Sequence, residues 1–298
     1  MTGNHDHRGR GDARRVDPVV APATGSLQGS AGTRLRWFRW DAPQWRGGIV
    51  LVHGFGDHVG RYLEIVRVLT SRGYSVFAYD ARGHGGSDGP RGHADRFELF
   101  LEDLDKVWAE AERVLGGSLV LYGHSFGGLT AIRWLQTRGV RPAGAVISTP
   151  WLAIEMAVPA WKLLASRLLL QVAPAFAISS GANRPEFLTR DPVRAADYNA
   201  DPLVHHRISA RFFFAVREAQ VAALAEGLPR EVPTLLLVPG DDRLVHAGTT
   251  LAWAREKAPA AEIRIREAGR HELHNDLDRD RALASVADWM DTRVASNP

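Results

Sequence analysis

Ser125 stands in the pentapeptide Gly123-His124-Ser125-Phe126-Gly127. The apolar run Ser118-Leu119-Val120-Leu121-Tyr122 precedes it, and the helix-like stretch Gly128 to Leu135 follows. A serine between two glycines at a strand-to-helix turn reads as a nucleophile elbow, in which the hydroxyl is pushed out at the end of a sheet. The glycines lack Cβ atoms, so strand and helix can close around a strained residue. A glycine-rich turn that merely contains a serine reads the same five letters, so the partners that such a nucleophile requires become the discriminating observation.

A serine hydroxyl needs a base to take its proton, and the base needs a partner that fixes its tautomer. In α/β-hydrolases these follow in the order Ser, Asp or Glu, His, with the acid after a late strand and the histidine after the last. Gly240-Asp241-Asp242-Arg243-Leu244-Val245 follows the strand-like Pro233 to Val238, and Gly269-Arg270-His271-Glu272-Leu273-His274 follows Glu262 to Arg266. Asp242 is the preferred acid, and Asp241 reads as a turn residue after Gly240. His271 is the preferred base because it lies nearer the strand end; His274 falls on a following helical turn, as support or at the surface. The oxyanion that forms on attack needs backbone N–H donors. His53-Gly54-Phe55-Gly56 follows a strand and offers the Phe55 amide, and the elbow offers that of Phe126. His53 itself reads as a structural histidine bonded to nearby backbone.

These loops require a scaffold of strands that end at one edge. Leu35 to Trp40, Gly48 to His53, Tyr74 to Tyr79, the elbow strand, Ala143 to Ser148, Pro233 to Val238 and Glu262 to Arg266 are apolar, partly β-branched runs. Helical patterns fall at Arg61 to Arg72, Phe97 to Leu115, Thr249 to Lys257 and Asp280 to Val294, the second with an apolar stripe of Phe97, Leu101, Leu104, Trp108 and Ala111. Strands alternating with helices predict a mostly parallel α/β sheet covered on both faces. From about residue 151 to 226 the alternation fails, and this helical, proline-containing stretch is expected to be an inserted cap within a domain spanning 33–298. Residues 1–32 are polar and rich in Gly, Arg, Asp and Pro, without the apolar core of a signal peptide, and are expected to be a disordered tail. His5 and His7 there read as solvated residues.

The chain has 298 residues, 45% hydrophobic and 24% charged, with net charge +3 and no cysteine. Thiolate chemistry, disulfides and cysteine metal sites are excluded. Basic residues are dispersed, which disfavours a nucleic-acid partner. Asp80-Ala81-Arg82-Gly83-His84-Gly85 lacks the lysine and spacing of a phosphate loop and reads as a structural turn. No apolar run reaches the roughly 20 residues that span a bilayer, so a cytoplasmic location with possible peripheral membrane contact is the default. The segment Val158 to Leu170 is apolar around much of its circumference and serves either as cap core or as an acyl portal and membrane-docking lip.

The motifs together resemble those of the monoacylglycerol lipase and lysophospholipase family. His53-Gly54-Phe55-Gly56-Asp57-His58-Val59-Gly60-Arg61-Tyr62 is similar to its H-G-x-G-E-H-x-x-R-Y, residues 80–89 to its D-x-R-G-H-G-x-S-x-G, and Gly123 to Gly128 to its G-H-S-M-G-G. Tyr198-Asn199-Ala200-Asp201-Pro202-Leu203 resembles the Y-N-x-D-P-L that closes its cap. The resemblance covers about 34–293. It implies an α/β-hydrolase fold and hydrolysis of a small single-chain lipid ester without cofactor, with Ser125 as nucleophile, Asp242 as orienting acid and His271 as base. It also implies that Asp57, Arg61, His124 and Tyr198 surround the polar head group, Asp57 replacing the commoner glutamate. Read from the residues alone, Asp57 and Arg61 equally describe a local ion pair at a helix start, and Tyr198 a packed cap residue. Other acyl-transfer enzymes, among them short-chain esterases, thioesterases, aminopeptidases and acyltransferases, share the elbow logic; a non-catalytic lipid-binding module would keep the fold without needing the ordered triad.

Overall fold

The computed structural model describes residues 21–155, 159–181 and 184–293. In chain order the strands and helices are β1 (Ala23–Gln28), β2 (Arg34–Trp40), β3 (Gly47–Val52), α1 (Leu63–Ser71), β4 (Tyr74–Tyr79), α2 (Glu98–Leu115), β5 (Leu119–His124), α3 (Phe126–Thr137) and β6 (Gly144–Ser148). There follow α4 (Ala160–Val172), β7 (Ala177–Ser179), α5 (Pro185–Leu188), α6 (Pro192–Ala200), β8 (Arg207–Ser209) and α7 (Ala210–Ala225). The chain closes with β9 (Thr234–Pro239), α8 (Ala247–Lys257), β10 (Glu262–Arg266) and α9 (Arg279–Arg293).

Eight strands form one sheet in the order β1-β2-β4-β3-β5-β6-β9-β10, parallel from β4 to β10 and antiparallel at the β1 and β2 edge. The central strands β3, β4, β5, β6 and β9 are buried along their whole length. That is the burial expected of runs such as Ile49-Val50-Leu51-Val52, apolar on both faces of the pleat. One face packs against α1 and α9 through Ile65, Leu69, Val286 and Trp289, the other against α2, α3 and α8 through Leu104, Ile132, Trp134 and Trp253. The mostly parallel sheet covered on both faces, read from the strand–helix alternation, is the one observed, and it agrees with the α/β-hydrolase architecture that the motif resemblance implies.

The expectation of a disordered stretch across 1–32 is corrected for its last ten residues. Ala23–Gln28 pair with Arg34–Arg39 as an edge strand. Beyond it, Ser30 N–H donates to Asp103 Oδ1 at 2.7 Å, and Arg82 donates to the Ser30 carbonyl at 3.1 Å. An edge strand with one solvated face needs little apolar content, which is why composition alone concealed it. Residues 1–20, with His5 and His7, lie outside the described residues, as does Val158 at the start of the apolar segment.

Between β6 and β9 the sheet receives no strand from the described residues. This stretch contributes α4 to α7 and a separate antiparallel pair, β7 with β8, shorter than sequence pattern can register. Its returning arm is tied to the sheet-edge loops: His205 N–H donates to the Gly56 carbonyl and Ser209 N–H to that of Gly92, each at 2.9 Å. The Asp80 loop is a structural turn tied by Asp80 and Arg82, as its residues suggested, both within itself and to neighbouring elements. Asp80 accepts from the amides of Val59 and Gly86, while Arg82 makes a two-pronged ion pair with Asp103, both contacts at 2.7 Å.

Candidate active site

Ser125 lies between β5 and α3 at φ 53° and ψ −113°, a left-handed conformation that residues with a Cβ seldom adopt. The turn is affordable only because of its neighbours. A Cβ on Gly127 would stand 2.6 Å from the His53 carbonyl oxygen and closer still to that of Val52, and one on Gly123 would strike the Gly127 carbonyl. Ser125 is locked by its own backbone: its N–H donates to the Ser148 carbonyl at 2.9 Å, and its carbonyl accepts from Leu129 and Trp151, each at 3.0 Å. Strain held in place by such surroundings is a feature of functional sites.

The three side chains expected to act together meet. His271 Nε2 lies 2.9 Å from Ser125 Oγ, and its Nδ1 lies 2.8 Å from Asp242 Oδ2. The other Asp242 oxygen accepts from the amides of Leu244 at 2.8 Å and Val245 at 3.0 Å. Burial alone would raise the Asp242 carboxyl, but His271 and these two amides hold it below the usual carboxylate range. Burial likewise works against a charged His271; the Asp242 carboxylate overrides it, with Glu272 and Asp57 adding to the effect, and the imidazole pKa lies above its ordinary 6.5. Asp241 instead pairs with Arg270 and Arg243. His274 is buried in a turn ahead of α9 rather than on a helix, and is stacked on Tyr62 at 4.5 Å. Burial pushes its pKa down to about 3, and among the described residues neither ring nitrogen has a hydrogen-bond partner.

A cavity of about 90 Å³ opens over Ser125, lined in part by Phe55, Trp151, Leu188, Leu244 and Val245. Among the described residues the Phe55 amide has no acceptor, and Phe126 opens α3, where the first N–H groups have no intrahelical acceptor. Both belong to the loops that flank Ser125. His53 bridges its own loop instead: Nδ1 contacts the Gly54 carbonyl at 2.7 Å, and Nε2 accepts from Ala81 N–H at 2.9 Å.

Of the four residues assigned to the head group, Asp57, His124 and Tyr198 line this cavity. Arg61 sits behind them, its Nη2 2.6 Å from Glu272 Oε2, its Nη1 3.6 Å from Asp57 Oδ1, and its guanidinium 4.5 Å from the centre of the Tyr198 ring. The ion-pair reading and the cavity reading of Asp57 therefore both describe it. Asp57 also accepts from His58 N–H at 2.9 Å and from Tyr62 O–H at 3.0 Å. His124 Nδ1 lies 3.0 Å from Thr149 Oγ1, and burial keeps its imidazole pKa well down. Sequence patterns missed Glu272 and Thr149. Glu272 is adjacent to His271, yet its partner Arg61 is 211 residues away, and only the fold joins them. Thr149 has φ 46° at the end of β6, which no sequence signal announces. Among the described residues, no group of three or more His, Asp or Glu is arranged to hold a metal ion.

Comparison with known proteins agrees with this geometry. The family described as Hydrolase_4, serine aminopeptidase S33, matches residues 43–278. The chain is 30% identical to phospholipase YtpA of Bacillus subtilis over 86% of its length and 99% of that protein's. It is 32% identical to human monoglyceride lipase over 83% of each chain. It also matches an uncharacterized abhydrolase domain-containing protein of Dictyostelium discoideum at 29% identity, but spans only 26% of that protein's length. Among solved structures, a monoacylglycerol lipase of Paleococcus ferrophilus superposes with a TM-score of 0.76 and 31% identity, over 89% of this chain and 99% of the other.

Proposed function

We propose, for a chain that belongs to the Hydrolase_4, serine aminopeptidase S33 family and within it resembles the monoacylglycerol lipases and lysophospholipases, that it hydrolyses single-chain lipid esters through an acyl-serine intermediate. The observation that carries this reading is the relay from Asp242 through His271 to Ser125, with contacts of 2.8 Å and 2.9 Å. His271 Nε2 takes the Ser125 proton as Oγ attacks the ester carbonyl. The carbonyl oxygen becomes an oxyanion and accepts from the amides of Phe55 and Phe126, donors that cost no reorganisation because the backbone already holds them. As the tetrahedral adduct collapses, the bond to the alcohol oxygen breaks and His271 gives that oxygen the proton. Water then loses a proton to His271, attacks the acyl carbonyl and releases the fatty acid, and the proton returns to Ser125.

In this reading the inserted segment, about 151–226, is a cap whose underside closes the acyl side of the cavity, while Asp57, Arg61, His124 and Tyr198 surround the leaving alcohol. The cap also supplies the proposed membrane contact. Trp161, Leu164, Leu168 and Val172 recur at helical spacing on α4, and Trp161 is 68% and Val172 80% exposed. No residue of α4 is buried, so this apolar face is not cap core. Among the described residues no helix is long and apolar enough to cross a membrane. A cytoplasmic enzyme touching a lipid surface through α4 fits both facts.

The test is a panel of fatty monoacylglycerol, lysophospholipid, short ester, acyl-CoA and aminoacyl amide, run on wild type and Ser125→Ala. One of the two single-chain lipid esters is expected to be the best substrate, and the variant, still folded, to lose about 10⁵–10⁶-fold in kcat. Preference for the aminoacyl amide would assign the site to a peptidase instead.

A further inference from the structure

The wall of the cavity that faces the leaving alcohol is unevenly charged. Asp57 and Glu272 both line it and are 4% and 3% exposed. One cation, Arg61, stands between them. The charged groups just outside are already paired, Arg194 with Glu64 at 2.6 Å and His58 with Asp201 at 2.8 Å. The two other histidines nearby, His124 and His274, are kept neutral by burial, and His271 is matched by Asp242. Two carboxylates against one guanidinium leave the compartment with an excess negative charge. The hydrogen bonds are arranged to the same effect. Glu272 Oε2 receives Arg61 and, at 2.9 Å, Asn275 Nδ2, whereas Oε1 has no hydrogen-bond donor among the described residues. At Glu272 an entering group therefore meets an open acceptor, while Arg61 Nη1, which has no hydrogen-bond partner among the described residues, is buried behind the lining.

We infer that Glu272 is a specificity-determining residue that makes the leaving-alcohol compartment anionic, so that the site selects esters of alcohols bearing hydroxyl or ammonium donors and rejects those with an anionic phosphate next to the ester. This rests on the hydrolase reading above and adds a sorting rule to it. Inside a site shielded from water, like charges a few ångströms apart repel much more strongly than in solution. Hydroxyls and ammonium groups find an open oxygen, and a phosphate finds no arginine or lysine among the described residues that line the cavity. Discrimination here comes from the repulsive element as much as from the attractive one.

Two measurements test it. In the wild type, aminopropanediol, glycerol and glycerol phosphate are compared as competitive inhibitors of p-nitrophenyl butyrate cleavage. The inhibition constants should rise in that order, with about tenfold or more between the first and last. Next, kcat/KM is measured for a monoacylglycerol and for the lysophosphatidate with the same acyl chain, in wild type and Glu272→Gln. The wild type should favour the monoacylglycerol, and the variant should narrow that ratio by about tenfold. Tighter binding of glycerol phosphate than of aminopropanediol, or a ratio that Glu272→Gln leaves unmoved, overturns the inference while ester hydrolysis stands. Cleavage of neither lipid, with no covalent labelling of Ser125, removes the hydrolase reading and the inference with it.

Discussion

His271 has two opposite tasks in the proposed cycle, accepting a proton from Ser125 and then surrendering it to the departing alcohol. The carboxylates around it set the balance. Because its pKa is raised above 6.5 against the effect of burial, the free enzyme should lose activity as pH falls through a midpoint above that value, since only the neutral imidazole can act as base. Replacing Glu272 by Gln removes a negative charge that favours the imidazolium. The acid limb of kcat/KM against pH should therefore move to lower pH; an unmoved or upward-shifted limb would show that Glu272 does not act on His271. At this scale much was legible. Ser125, Asp242 and His271 were marked by the loops that hold them, and Asp242 was separable from Asp241 by its following Leu244 and Val245, whose amides it accepts. Glu272 was not, because a carboxylate beside the proposed base has no meaning until Arg61 arrives from the opposite end of the chain.

The elements succeed where periodicity is strong and fail where an element is short or solvated. Strands β3, β5 and β9 are continuous apolar runs and could hardly be read otherwise. The edge strand β1 and the three-residue strands β7 and β8 carry no such signature; they exist because a partner strand offers hydrogen bonds. The tie between the inserted segment and the body is of this kind. Gly92 has φ +72°, and a Cβ there would land on the carbonyl of Arg207, the first residue of β8. Gly92→Ala should consequently lower stability by at least about 1 kcal/mol, and should reduce hydrolysis of long-chain esters more than that of short ones, as the cap loses its seat. Thermal melts with paired kcat/KM values for the two chain lengths check this; a variant with unchanged melting and unchanged chain-length ratio would mean that the tie at Gly92 does not position the proposed cap.

Across the whole molecule, a sheet whose central strands are buried on both faces fixes the ends of β3, β5, β9 and β10, and the loops after them converge on one cavity. The convergence of residues 55, 125, 242 and 271 follows from the parallel run of β3, β5, β6, β9 and β10, whose C-terminal ends lie at the same edge. The outer face of α4 was legible as apolar but not as exposed, since its burial depends on whether anything covers it. Introducing aspartate at Trp161 and Leu168 should abolish sedimentation with phospholipid vesicles and slow the cleavage of vesicle-borne monoacylglycerol, leaving cleavage of a dissolved short ester near wild type. Retained vesicle binding would locate any membrane contact elsewhere. The account as a whole depends on a fatty acyl group passing through Ser125. Acid quenching during turnover of a monoacylglycerol, followed by peptide mass analysis, reads this directly. The account predicts an added acyl mass on the peptide containing Ser125, present in wild type and absent in Ser125→Ala. Turnover with the acyl mass on another residue, or undiminished turnover in Ser125→Ala, would contradict it.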